Sequence, residues 1–242
     1  MVNNKQRLKC DLHIHSCLSP CADILMTPGN IIKKALELGL DIIAISDHNT
    51  AGNVKVAIDL AADFDLKIIP AMEIESSEEV HLLCYFENLE KLHIWNEIVG
   101  KAMPDLKNDE ETFGYQLITD QRDEYVAKEE RLLASATKLT VKEIFNKVRA
   151  IGGSVVPSHL DRPYNSLLAN LGFIPEDLDI SVVELSKNAI IDKFFAKYPF
   201  IKKYPYIVSS DSHYLKDIKA YTEIDVEEFK DLLGIDLNNT FS

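Results

Sequence analysis

The 242-residue sequence predicts an α/β fold, a closed or nearly closed (β/α) barrel with a polynuclear metal site at its strand ends. Three observations predict it. Strand and helix signals alternate along most of the chain. Six of the seven histidines fall at or just past the C-terminal ends of expected strands. Each such end carries an acidic residue nearby or is matched by one at another strand end. Parallel α/β proteins place their chemistry at the carboxyl ends of strands, and histidines that merely fill a core have no reason to recur there.

The elements follow in order. Lys9 to His15 reads as the first strand. Thr27 then N-caps a helix with Pro28 at its first position; Ile31, Ile32, Ala35 and Leu36 form its apolar stripe and Gly39 stops it. The second strand, Ile42 to His48, leads to a helix with Val54, Ala57, Ile58 and Ala61 at helical spacing. A strand over Ile68 to Ile74 carries Glu73, and a tight S-S-E-E connection leads to the strand carrying His81. Thr140 and Glu143 form a capping box for a helix with Val141, Ile144, Phe145 and Val148 on its apolar face. Gly152 and Gly153 end it, and the strand to His159 begins. Ser181 to Ser186 and Tyr206 to Asp211 are the last two of seven strands.

Residues 87–139 interrupt this rhythm. Leu92, Trp95 and Val99 mark one helix that stops near Pro104; an acidic stretch and then Phe113 to Ile118 follow. Histidine-bearing strands lie on both sides, so a single domain over 1–242 with an insertion at about 87–139 is expected. A lid over the site and an extra surface helix with its loop are both compatible with this segment.

A net charge of −13, from 26 basic and 39 acidic residues, argues against a broad nucleic-acid-binding face and against long nucleic acid as a partner. Bound divalent ions would reverse the sign locally. No apolar run is long enough to span a membrane, and the N-terminal M-V-N-N-K-Q-R-L-K lacks the apolar core of a secretory leader, so a cytoplasmic location is the default expectation. Four cysteines do not resemble a secreted disulfide framework. Cys10 and Cys84 lie in apolar strands and read as buried thiols.

In His13-Ile14-His15 the two imidazoles share one face of a strand and can reach one ion. Asp11 and Asp47 each lie close to a ligand candidate and could accept the far ring N–H of a liganding histidine. Glu73 ends a buried-looking strand, where a carboxylate needs a partner and can bridge two cations; His81 is near enough in order to share that bridge. Asp211-Ser212-His213 repeats the same spacing at the other end of the chain.

Taken together, D-L-H-I-H-S, S-D-H-N, M-E-I followed by a histidine, P-S-H and S-D-S-H resemble, in order, the motifs of the PHP (polymerase and histidinol phosphatase) superfamily over residues 10–214. The resemblance implies a distorted (β/α)7 barrel, up to three divalent metal ions and phosphoester hydrolysis. By motif, His13, His15, Glu73 and Asp211 would hold one ion; Glu73, His81 and His159 a second; His48 and His213 a third, with a ligand from the loop after the first strand. That loop, S-C-L-S-P-C-A-D (Ser16 to Asp23), departs from the family pattern. Counted back from Thr27-Pro28, Asp23 falls at the usual distance and is the preferred ligand; Cys21 is the second choice, since thiolates ligate zinc.

The expected reaction is hydrolysis of a small phosphorylated metabolite or nucleotide through a metal-activated hydroxide, on two to three ions of zinc, manganese or iron. Asp211 is a candidate for proton transfer and Arg162 a candidate phosphate clamp, with a salt bridge to Asp161 or another surface acid as its alternative. Lys187 is a weaker clamp. Glu184 reads as a buried helper without a ligand role, and His93 as a surface or packing histidine. A nuclease on short single strands and a non-catalytic regulatory module remain alternatives; a general amidohydrolase fits the motif order less well. Substrate and oligomeric state are not legible.

Overall fold

The computed structural model describes residues 7–237, so residues 1–6 of the N-terminal stretch read above lie outside the described residues. The elements run β1 (Leu8–Ile14), α1 (Pro28–Glu37), β2 (Ile42–Ile45), α2 (Val54–Ala61), β3 (Lys67–Ile68), β4 (Ala71–Glu75), β5 (His81–Tyr85), α3 (Leu89–Ala102) and α4 (Glu110–Phe113). There follow β6 (Leu117–Thr119), β7 (Tyr125–Lys128), α5 (Val141–Ala150), β8 (Ser154–Pro157), α6 (Leu167–Leu171), β9 (Val183–Ser186), α7 (Ile191–Lys197), β10 (Tyr206–Ser209), β11 (Thr222–Ile224) and α8 (Val226–Leu233). No helix among the described residues is long and apolar enough to cross a membrane.

The helix signals act as read. The Thr27 hydroxyl accepts the Asn30 N–H at the start of α1, which buries Pro28, Ile31, Ile32 and Ala35. Thr140 and Glu143 close a reciprocal capping box on α5, whose Val141, Ile144, Phe145 and Val148 are buried.

The strands form a mixed α/β fold of small sheets, and the expected closed barrel is not seen among the described residues. One sheet has the order β11-β1-β2-β3, another β4-β5-β8, and β9 pairs with β10. Isolated bridges from Ile14 to Ser212 and from His48 to Glu73 link strand ends across the sheet boundaries. Two local causes break the barrel pattern. The strand expected over 68–74 splits into β3 and β4 at Ile69-Pro70, where proline has no N–H for a ladder. The five-residue link from β4 to β5 is too short for a crossover, so β5 runs antiparallel to both β4 and β8.

One apolar cluster lies among the strands: Cys10, Leu12, Ile42, Ala44, Leu83, Tyr85 and Val156, closed off by Phe229 and Leu233 of α8. The other joins strands to helices and includes Ile14, Ile31, Ile43, Ile74 and Ile144. Leu12 and Ile14 fall in different clusters because the β1–β2 register shifts between Asp11 and Ile14. That irregularity re-aims the end of β1, where His13 and His15 stand.

The segment 87–139 divides in two. Helix α3 is part of the core, with Leu92, Trp95, Val99 and Ala102 buried. The β6–β7 hairpin braces the loop after β1. Asn53 donates to the Leu117 carbonyl and accepts the Thr119 N–H, the Leu117 N–H donates to the Cys17 carbonyl, and the Tyr125 hydroxyl donates to the Ile24 carbonyl. At Gly114 (φ 100°) a Cβ would stand 2.2 Å from the Pro20 oxygen, so only glycine permits this approach.

Candidate metal centre

The elements deliver their polar side chains to one buried point. His13 and His15 come from β1, His48 from the end of β2, Glu73 from β4, His81 from β5, His159 from the end of β8, and Asp211 and His213 from the end of β10. His13, His15, Glu73 and His159 are almost fully buried, and His48, His81 and Asp211 are buried only slightly less. His159 and Asp211 take left-handed backbone, φ 30° and 46°, as the chain turns out of its strand. Positive φ is uncommon outside glycine, although aspartate and histidine enter it more often than most residues. Such strain persists where the surroundings over-determine it.

Glu73 is the hub. Its Oε1 lies 3.3 Å from His13 Nε2, 3.3 Å from His81 Nδ1 and 3.5 Å from His159 Nε2. Its Oε2 lies 3.4 Å from His15 Nε2 and 3.2 Å from His48 Nδ1. Asp211 adds its Oδ1, 3.1 Å from His15 Nε2 and 3.4 Å from His13 Nε2. Despite this crowding, Glu73 Oε1, His81 Nδ1 and His159 Nδ1 are buried without a hydrogen-bond partner among the described residues.

The network fixes which ring nitrogens carry protons. His13 Nδ1 faces both oxygens of Glu184, at 3.1 and 3.0 Å, so it donates. The Ser19 hydroxyl gives its proton to Asp47 (2.7 Å), so His15 Nδ1, 3.0 Å away, donates to Ser19 Oγ. In the neutral rings both Nε2 atoms then carry lone pairs, yet they stand 3.1 Å apart beside two carboxylates. Lone pairs and carboxylate oxygens at such distances repel unless positive charge lies between them. The donor set fits divalent ions: imidazole with carboxylate suits zinc, manganese and iron. Three sets of donor atoms lie close enough to share an ion: His13-His15-Glu73, His48-Glu73-His81 and His15-His48-His213.

The acid–base balance reports the same charge. Burial disfavours the His13 imidazolium, but Glu184, Glu73 and Asp211 outweigh it and hold the pKa well above the ordinary value. Burial pushes the Glu73 carboxyl up, but the His81 and His13 charges pull it well below the usual carboxylate range.

Six of the histidines are thus brought together with Glu73 and Asp211. Asp23 is not. Its Oδ1 accepts the Leu25 N–H at 2.8 Å, and like Cys21 it belongs to none of the three donor sets. Cys21 instead places Sγ 3.1 Å from His213 Nε2. Burial pushes that thiol up, but the neighbouring His48 and His213 rings draw it down to about 5.

Around the centre the remaining candidates take the following partners. Asp11 bonds the Ser210 and Lys219 N–H groups and ties β1 to the segment after β10, rather than touching a histidine. Asp47 acts on His15 only through Ser19, and also accepts from Ser16. Arg162 pairs with Asp211 Oδ2, not with Asp161, whose carboxylate holds Ser186. Lys187 lies 3.5 Å from Asp217, and His93 is exposed near Glu97. Glu184 is the positioning group for His13 and also accepts the His159 N–H at 2.9 Å. Its buried strand-end position was its one sequence signal; Ser19 gave none.

The PHP domain family model matches residues 11–165, which hold most of these ligand candidates. The chain belongs to the PHP domain family. An uncharacterised protein of Methanocaldococcus jannaschii is 32% identical over 79 residues, covering 29% of this chain and 46% of the relative. Among solved structures, the lesion-specific endonuclease Q of Pyrococcus furiosus superposes with a TM-score of 0.62 at 23% identity, covering 86% of this chain and 49% of that one. A protein of Bifidobacterium adolescentis assigned as a metal-dependent phosphoesterase gives a TM-score of 0.62 at 16% identity, covering 95% and 96%. At these identities the likeness is one of fold. The chain spans about half the length of the archaeal relative and of endonuclease Q.

Proposed function

We propose that this PHP domain is a metal-dependent phosphoesterase acting on a small phosphorylated metabolite or nucleotide. The observation that carries the reading is Glu73, a buried carboxylate ringed by five histidines with one oxygen left unpartnered. In this reading His13, His15, Glu73 and Asp211 hold one ion, Glu73, His81 and His159 a second, and His48 and His213 take part in a third. Divalent ions there supply an activated water and neutralise charge on the phosphoryl oxygens. Glu184 and Ser19 fix the tautomers of His13 and His15, which keeps their Nε2 atoms free as ligands. Asp211 presents Oδ1 inward and anchors Arg162 through Oδ2. Arg162 is partly exposed, and its remaining N–H groups can bind a phosphate oxygen at the site entrance.

The test is a panel of phosphomonoesters, phosphodiesters and oligonucleotides on metal-reconstituted protein. Turnover of small phosphoesters that vanishes with a chelator supports the reading; no turnover of any member contradicts it. Preference for short single strands favours the second reading, a nuclease, which the fold shared with endonuclease Q supports and the net charge of −13 opposes.

Arg162→Ala is expected to lower kcat/KM by about 10- to 100-fold, the worth of one charge-assisted hydrogen bond, with metal content unchanged. Steady-state kinetics beside elemental analysis checks this. Unchanged kcat and KM would remove Arg162 from substrate binding.

A further inference from the structure

The His15-His48-His213 set differs from the other two in holding no carboxylate of its own. A dication held by neutral imidazoles alone lacks the charge compensation that Glu73 gives the other sets. The loop after β1 was the expected source of an anionic ligand, and its aspartate, Asp23, is engaged in capping the Leu25 N–H. Its thiol is not. Cys21 Sγ lies 3.1 Å from His213 Nε2.

The His213 ring is set for this. Its Nδ1 is 3.0 Å from the Asp211 carbonyl oxygen, which can only accept, so Nδ1 carries the proton. The lone pair is then on Nε2, on the side where Cys21 stands. A tetrahedral ion with imidazole at about 2.0 Å and thiolate at about 2.3 Å keeps N and S roughly 3.5 Å apart, close to what is seen here. The loop is also held in place. The Cys17 N–H donates to the Met26 carbonyl, the Asp23 N–H to the His213 carbonyl, and Gly114 packs on Pro20, the neighbour of Cys21. The other thiols, Cys10, Cys17 and Cys84, are buried, and none is bonded to a histidine.

We infer that Cys21 is a thiolate ligand to the ion at His48 and His213, which makes this a mixed histidine–cysteine site that takes zinc or another thiophilic metal. The inference rests on the metal reading above. Soft thiolate selects zinc over manganese, so this ion differs in preference from the carboxylate-bridged ones. The ion also sits at the exposed face of the cluster, since Cys21 is exposed and His213 is partly so.

Cobalt(II) substitution tests this without reference to activity. The purified chain is stripped of metal and titrated with cobalt, and the visible d–d bands and the near-ultraviolet thiolate-to-cobalt charge-transfer band are recorded. Both bands are expected in the wild type. In Cys21→Ser the charge-transfer band is lost while d–d absorption from the remaining sites persists; in Asp23→Ala both bands stay. Zinc content should fall by about one ion per chain in Cys21→Ser. Cobalt binding without a charge-transfer band, or a band that survives Cys21→Ser, overturns the thiolate assignment and leaves the metal reading intact. Failure to bind cobalt at all overturns both.

Discussion

Replacing Glu73 with glutamine is expected to abolish phosphoester hydrolysis, by roughly 10³-fold or more, while the fold survives. A bound divalent ion would lower the pKa of its water towards neutrality, and that gain would go with the ion. Glutamine matches the shape of Glu73 but cannot supply the negative charge that five imidazoles converge on. Metal content should fall in parallel, because this one residue belongs to two of the three donor sets. His15→Ala should act the same way, as should Asp211→Asn, which keeps the left-handed backbone that Asp211 requires. The comparison needs turnover, metal content and circular dichroism on one preparation. Near wild-type turnover in Glu73→Gln would remove it from the centre of the chemistry.

The largest effect on stability is expected away from the site. Trp95 is fully buried on α3, against Phe86 at a ring separation of 6.5 Å. Trp95→Ala should cost about 3–5 kcal/mol, the usual price of deleting a buried aromatic. At about 2–4 °C per kcal/mol for a chain of this size, the midpoint of thermal unfolding should fall by about 6–20 °C. Urea unfolding of both proteins measures it. A loss below about 1 kcal/mol would mean that α3 is peripheral, as one reading of the 87–139 segment allowed.

That segment shows where sequence is informative and where it stops. The spacing of Leu92, Trp95 and Val99 gave the helix and its buried face, because periodicity is a local property. What the face packs on is not local, and the division into a core helix and a loop-bracing hairpin was not legible. The same holds for the sheets. The strand positions carried a clear hydrophobic signal, but the expected barrel assumed parallel neighbours. The short link after Glu75 forces β5 to run antiparallel, and Pro70 divides β3 from β4.

The site was the most legible part because its ligand candidates sit at strand ends in short recurring patterns, such as His13-Ile14-His15 and Asp211-Ser212-His213. The loop was the least. Counting residues from Thr27 favoured Asp23, but spacing does not say which way a side chain turns, and the backbone from Pro20 to Leu25 turns Cys21 toward His213 and ties Asp23 to Leu25. Glu184 and Ser19 lie far from their histidine partners in sequence or in motif, so only the assembled structure shows them.

Metal content per chain tests the central claim most directly. The protein, stripped and then reconstituted with zinc, manganese and iron in turn, is freed of loose metal and measured by elemental analysis. A buried polynuclear centre predicts roughly two to three tightly held ions per chain with at least one of these metals. A ratio below one with every metal would contradict it.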